Sequence, residues 1–418
     1  MDVLQPVIRP YAWGSRTAIA ELQGRPVPSD GPEAELWMGA HPSAPSVVLR
    51  DGQARGLDSV IAAAPARELG PDCAARFGGR LPFLLKVLAA DKALSIQVHP
   101  SQEQAAAGFA AENARGLAPG DPARNYVDDW PKPELLCALT PFEVLAGMRT
   151  PADALELLRT LGVERLRAAG LELALADGAA DTVTGAADTM RGAADTVRCT
   201  LATILSWPSE DRAALIADVV AACERLASGF GAYADACAAI VRVAADHPGD
   251  IGVAASLLLR YAVLEPGQAV FMPAGGLHAY LRGTGIELLA NSDNVVRAGL
   301  TGKHIDVPEL LKLLDPAVAV PVLEPVLAAG GRVAWYETPA PEFRLFRMDV
   351  GRDDVGLAGS GPRIVFCVSG GVALRSATGD TAKLTRGESA FIPAADAPAS
   401  ASGPAHLFVA TPGAPPTP

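Results

Sequence analysis

One phrase occurs twice in this chain: P-G-Q-A-V-F-M-P-A at 266–274 and R-G-E-S-A-F-I-P-A at 386–394. Each places a glycine turn before a short run of small and apolar side chains, then a proline that ends the run. That is the signature of a turn feeding a buried strand. A chain that writes it twice is held to two β modules of one kind. The copies differ in their downstream residues. His278 stands four residues past the last alanine of the first copy, whereas the second has only His406, far from any matching partner. The sequence therefore predicts two barrels, the second without a metal and serving packing.

Partners for His278 come from other segments. In L-S-I-Q-V-H-P, Leu94–Pro100, side chains alternate faces, so Gln97 and His99 project together while Ile96 and Val98 point the other way. Taken alone, this stretch fits either half of a metal site or a hydrogen-bonded glutamine beside a satisfied histidine. In W-P-K-P-E-L-L, Lys132 and Glu134 share a face, and His278 shares one with Tyr280. Gln97, His99, Glu134 and His278 together offer two nitrogen and two oxygen donors. That set suits Zn²⁺, and Mn²⁺, Fe²⁺ or Co²⁺ are also compatible. The inner faces of a jelly-roll barrel bring such distant positions together.

Lys86 interrupts the apolar run L-P-F-L-L-K-V-L and must reach a partner or a polar cavity, because an unpaired buried charge is costly. Trp13, Glu35 and Tyr280 read equally as pocket walls or as core. Asp293 and Asn294 read as turn-formers that fix the loop of Arg297, and His41, His247 and His304 as surface or capping groups.

Composition excludes several functions. With 35 basic against 47 acidic residues, a net charge of −12 and no Lys/Arg run, no nucleic-acid surface is expected. Six scattered cysteines without a C-x-x-C pair fit a reduced compartment. Neither a signal peptide nor an apolar run of membrane-spanning length is evident. The expectation is a soluble cytoplasmic protein with no membrane partner.

Along the chain, helices are expected at Asp58–Gly70 and from Ser101, where Gln104 completes a capping box. The stretch 151–250 reads as an all-helical insert opened by Thr150, Pro151 and Asp153, with a second long helix from Ser209. Inside it G-A-A-D-T recurs with period seven at Gly178, Gly185 and Gly192, too poor in large apolar residues for a coiled-coil seam and without a chemical role. Glu265–Gln268 reads as a hairpin turn. Asp306 with Glu309 caps a helix of about eight residues. The tail Pro412–Pro418 is expected to be disordered.

L-S-I-Q-V-H-P, W-P-K-P-E, G-G-L-H-A-Y-L and N-S-D-N-V-V-R-A-G-L-T-G-K, in that order, resemble the type I phosphomannose isomerases, zinc enzymes of the cupin class. Y-A-W-G-S and A-E-L-W-M-G-A-H-P are similar to that family too. The resemblance implies that Gln97, His99, Glu134 and His278 hold one Zn²⁺. It also places Arg297 at the catalytic arginine and sets Lys132, Lys86, Glu287 and Lys303 around a phosphorylated hexose, with Ser95, Trp13, Tyr280 and Glu35 also lining the pocket. Glu287 is the candidate base for interconverting mannose 6-phosphate and fructose 6-phosphate.

Two departures stand out: Pro131 where many bacterial relatives have His, and Gly302 where Pro is usual before the lysine. The implied fold is mainly β with an α-helical insert. A cupin, or jelly-roll, catalytic barrel is expected from 1–150 and 251–330, the insert at 151–250, and a second, metal-free cupin-like barrel at 331–418. A monomer or weak homodimer is expected. The rival readings are a non-catalytic phosphosugar-binding cupin and another metal-dependent cupin enzyme, such as an Fe²⁺ dioxygenase.

Overall fold

Strand His278–Ala290 runs for thirteen residues and organises the larger sheet. The computed structural model describes residues 1–182 and 187–414. They form antiparallel sheets of eleven and ten strands, a two-stranded ribbon of Val47–Arg50 with Gln53–Gly56, and a group of helices between Pro151 and Asp246. No helix among these residues is long and apolar enough to cross a membrane.

The second half of the long strand pairs with Phe83–Ala90 on one edge and Glu134–Ala138 on the other. Its first half pairs instead with Phe142–Met148 and, at His278, with Gln97. The partners change at Gly283, whose φ is 132°. A Cβ there would lie 2.7 Å from the Phe142 ring and 2.8 Å from the Pro141 carbonyl, so only glycine fits the bend.

Register then sets two rows of side chains across the sheet. Glu287 lies opposite Lys86, which lies opposite Trp37. His278 lies opposite Gln97, which lies opposite Arg297. Directly opposed residues share a face, so these rows unite segments remote in sequence.

The helical group packs Leu158, Leu161, Leu166, Leu201, Ile204 and Val219 into one core with the strand residues Ile96 and Val98. Each buried leucine there contributes about 1.5–3 kcal/mol. Thr150 caps the first helix, Pro151–Leu161, through the Asp153 amide, and the Ser101–Gln104 box opens Gln102–Ala114. Asp306 caps Val307–Leu313 through the amide of Glu309.

Several local expectations are corrected. Asp58–Gly70 is not one helix. Pro65 and Pro71 each start a new one, giving Leu57–Ala63, Pro65–Leu69 and Pro71–Arg76, because proline cannot donate the hydrogen bond a continuing helix needs. Ser209 opens no helix; it donates to Glu210, and the helix begins at Arg212. The turn at Glu265–Gln268 closes, yet its flanking strands do not form a hairpin. Leu259–Leu264 pairs with Phe142–Met148, and Ala269–Met272 with Glu134–Ala138, so each buries its apolar side in a different part of the sheet.

Of the expected disordered tail, Gly413 is buried and its carbonyl accepts from Arg76 at 3.3 Å. Residues 415–418 lie outside the described residues. The period-seven repeat is helical up to Thr182 and from Ala187, while 183–186 and most of its side chains lie outside the described residues.

In the ten-stranded sheet, Ser389–Ile392 from the second copy of the repeated phrase pairs with Asp2–Val3, a strand from the opposite end of the chain.

Candidate metal centre

His99, Glu134 and His278 meet at one point, each offering a ligand atom within 4.8 Å of the others. His99 Nε2 lies 3.3 Å from Glu134 Oε1, and His278 Nε2 lies 3.4 Å from Oε2. All three side chains are buried. His99 Nδ1 is 2.8 Å from the Asn294 carbonyl and His278 Nδ1 is 3.0 Å from that of Gly276. A carbonyl can only accept, so each Nδ1 carries a proton, and each Nε2 faces the carboxylate.

Burial pushes His99 down to about 4, against the pull of Glu134, so the ring is neutral at pH 7. Burial also opposes charge on Glu134, but His99, Lys132 and His278 outweigh it and hold the carboxyl well below its usual range. The lone pair of the neutral His99 ring therefore faces an anion. His99 Nε2 and Glu134 Oε2 are left without hydrogen-bond partners. Such an arrangement is stable around a cation, and neutral imidazoles with a carboxylate are the donors Zn²⁺ takes. The Gln97 amide is 3.3 Å from His278 Nε2. Turning the amide would present its oxygen there.

Beside this cluster opens a cavity of about 660 Å³. Eleven of the thirteen side chains singled out from sequence line it, and His99 and His278 sit behind its wall. Lys86 reaches Glu287 at 3.1 Å and Glu35 at 3.5 Å, and Glu35 accepts from Trp37 Nε1 at 2.7 Å. Burial opposes charge on Lys86, yet Glu287, then Glu35 and Glu134, raise its pKa above the ordinary lysine value. One ammonium shared among three carboxylates does not hold all of them fully ionised. Burial, aided by Glu134 and Glu35 and resisted by Lys86, lifts Glu287 to about 7.

Lys132 lies 3.4 Å from Glu134. Arg297 and Lys303 form no ion pair among the described residues, and burial lowers both pKa values. Trp13, Ser95 and Tyr280 stand on the wall, with the Tyr280 hydroxyl buried and unpartnered.

The chain is 36% identical over 414 residues to the mannose-6-phosphate isomerase of Salmonella typhimurium strain LT2, covering 97% of this chain and 98% of that one. The Bos taurus mannose-6-phosphate isomerase is 31% identical, covering 93% and 92%. A family profile for the phosphomannose isomerase type I catalytic domain matches residues 1–151. The crystal structure of a zinc-bound mannose 6-phosphate isomerase superposes with a TM-score of 0.84 at 35% identity, covering 99% of each chain.

The chain belongs to the type I phosphomannose isomerases. That likeness carries with it a cupin-like fold. Sequence reading missed several walls of the cavity: Tyr11, Trp37, Lys92, Asp246, His247 and Thr301. His41 is not at the surface but buried, edge-on to Trp37 and 3.3 Å from Asp293. His247 closes the helix Ala234–Asp246, as a capping group does, but its Nε2 also reaches the Ala93 carbonyl at 2.8 Å, which brings the insert to the cavity rim. Only a tertiary contact reports this, and no local pattern carried it. His304 is exposed.

Proposed function

We propose that this chain is a zinc-dependent aldose–ketose isomerase that interconverts mannose 6-phosphate and fructose 6-phosphate through a cis-enediol. The observation that carries the reading is the shared cavity. A metal-ready cluster, a carboxylate lifted to about 7 and two cations without ion-pair partners among the described residues border the same space. The cations supply the local positive site that a phosphate needs on a chain of net charge −12.

His99, Glu134 and His278, with Gln97, hold the ion. Bound there, Zn²⁺ supplies Lewis-acid stabilisation of charge on the sugar oxygens. Glu287 takes the proton from C2 and returns it to C1 while the O2 hydroxyl proton passes to O1, and a pKa near neutrality suits a group that must both take and give a proton. Lys86 holds that carboxylate in place. Lys132 faces the sugar oxygens, Arg297 neutralises enediolate or phosphate charge through its paired N–H groups, and Lys303 extends the positive field to the mouth. Trp13, Ser95, Tyr280 and Glu35 shape the wall.

Residues 1–150 and 251–330 form the catalytic barrel, except that Asp2–Val3 and Val326–Leu327 pair into the ten-stranded sheet; 151–250 form the insert, and 331–418 a second cupin-like barrel without metal. The enzyme is cytoplasmic and acts as a monomer or weak homodimer.

Metal analysis of the purified protein, followed by a coupled assay with mannose 6-phosphate with and without chelator, tests this. Turnover is lost to chelator and restored by Zn²⁺. Zinc and substrate bound without turnover would select the phosphosugar-binding reading.

A further inference from the structure

Asn294 was expected to form a turn. It is instead fully buried; its backbone N–H donates to Ser292 Oγ at 3.2 Å, but its carbonyl and both side-chain polar atoms bond remote parts of the chain. Its backbone carbonyl accepts the His99 Nδ1 proton at 2.8 Å. Its side-chain oxygen accepts from the backbone N–H groups of Val127 at 2.7 Å and Asp128 at 3.2 Å. Its side-chain nitrogen donates to the carbonyls of Asp128 and Trp130, both at 2.8 Å, and to Asp128 Oδ1 at 3.2 Å.

Asp128 returns the grip. Its Oδ1 accepts from Ser292 Oγ at 2.8 Å and the Trp130 amide at 2.9 Å, and its Oδ2 accepts from the Asp293 amide at 3.0 Å. A turn-forming asparagine bonds its own neighbours. This one fastens a segment more than 160 residues away.

The fastened segment is itself held from behind. Glu112 accepts from the amides of Asn125 and Tyr126, and Asn125 donates to Asp306 at 2.9 Å. Two residues past Trp130, Lys132 reaches Glu134. Three residues past Asn294, Arg297 enters the cavity.

We infer that Asn294 is a positioning residue: it locks the loop whose carbonyl orients His99 to the 127–132 segment that presents Lys132, so that one side chain sets both zinc affinity and the placement of the pocket lysine. The inference rests on the metal reading of His99, Glu134 and His278. Groups that orient a metal-bound histidine through its other nitrogen act on affinity as well as geometry.

The test compares wild type, Asn294→Ala, Asp128→Asn and His278→Ala. Zinc dissociation constants come from competition with a chromophoric chelator, and kcat and KM are measured at saturating zinc. Asn294→Ala is expected to bind zinc about 10–100-fold more weakly. With zinc saturating, its kcat should remain depressed, because Lys132 is displaced as well. Asp128→Asn keeps the fold's volume and should weaken zinc in the same direction by a smaller factor. Should Asn294→Ala fail to fold, Asp128→Asn decides.

A lowered unfolding temperature with wild-type zinc affinity would make Asn294 merely structural and overturn the inference. Wild-type zinc affinity in His278→Ala would instead overturn the metal reading beneath it, so the two failures are distinguishable.

Discussion

The two copies of the repeated phrase end in opposite chemistry. After Met272 in the first, Pro273 and the Gly275–Gly276 turn lead to His278, buried against Glu134 beside a cavity. After Ile392 in the second, Pro393 enters a single helical turn, Ala394–Asp396, and the buried Asp396 accepts from the chain's own terminal amine at 2.5 Å. Around the second copy Val365, Val372, Leu374, Leu384, Ile392, Leu407 and Val409 close an apolar core. Around the first, Glu35, Lys86, Lys132, Glu134 and Glu287 are buried together. Burying that many charges is costly unless they answer one another, so polar groups kept inside one module mark the place where chemistry is done.

The comparison breaks most sharply at His278. His278→Ala should remove zinc and reduce turnover by at least about a thousandfold with the circular dichroism unchanged. An active variant would mean that the donors are misassigned. Next, Glu287→Gln should lower kcat by about 10²–10⁴-fold while zinc content, read by atomic absorption, stays at the wild-type level. With Glu287 as the proposed base, working deprotonated and with its pKa raised to about 7, kcat/KM at saturating zinc should fall as pH drops below about 7 and level off above it. His99, at about 4, does not titrate in that window. A profile flat down to about pH 5 would take the proton-transfer role from Glu287.

In the other module, Leu374→Ala removes a fully buried side chain and should cost about 2–5 kcal/mol in chemical denaturation, with zinc per chain unaltered. Smallest of all, His406→Ala alters an exposed residue paired with Asp349 and should shift stability by no more than about 0.5 kcal/mol. A loss of bound zinc in either C-terminal variant would abolish the contrast between the modules.

Much of the centre was legible because strand parity is a local property. Gln97 with His99, and Lys132 with Glu134, could each be placed on one face from spacing two alone, and Lys86 announced itself as a charge in an apolar run. The capping residues Ser101, Thr150 and Asp306 were readable for the same reason, since a cap involves only its first turn. What escaped were contacts between segments. His41 is buried by Trp37 and Asp293, His247 reaches Ala93 from the insert, and Asn294 spends its amide on a distant loop. The strands flanking Glu265–Gln268 looked like a hairpin because turn chemistry is local, whereas the choice of partner belongs to the whole sheet.

Gly283 and the strand around it have one more consequence. His278 and Glu287 lie on a single run, nine residues apart, and a straight strand would set them about 30 Å from each other. The bend lets both serve one cavity, which turns the run into a ruler. Deleting one residue between them would flip everything beyond the cut, leaving the imidazole inside and the carboxylate facing away. Apart from Gly283, positions along 279–286 are thus open to substitution in kind, but the run is closed to any change in count.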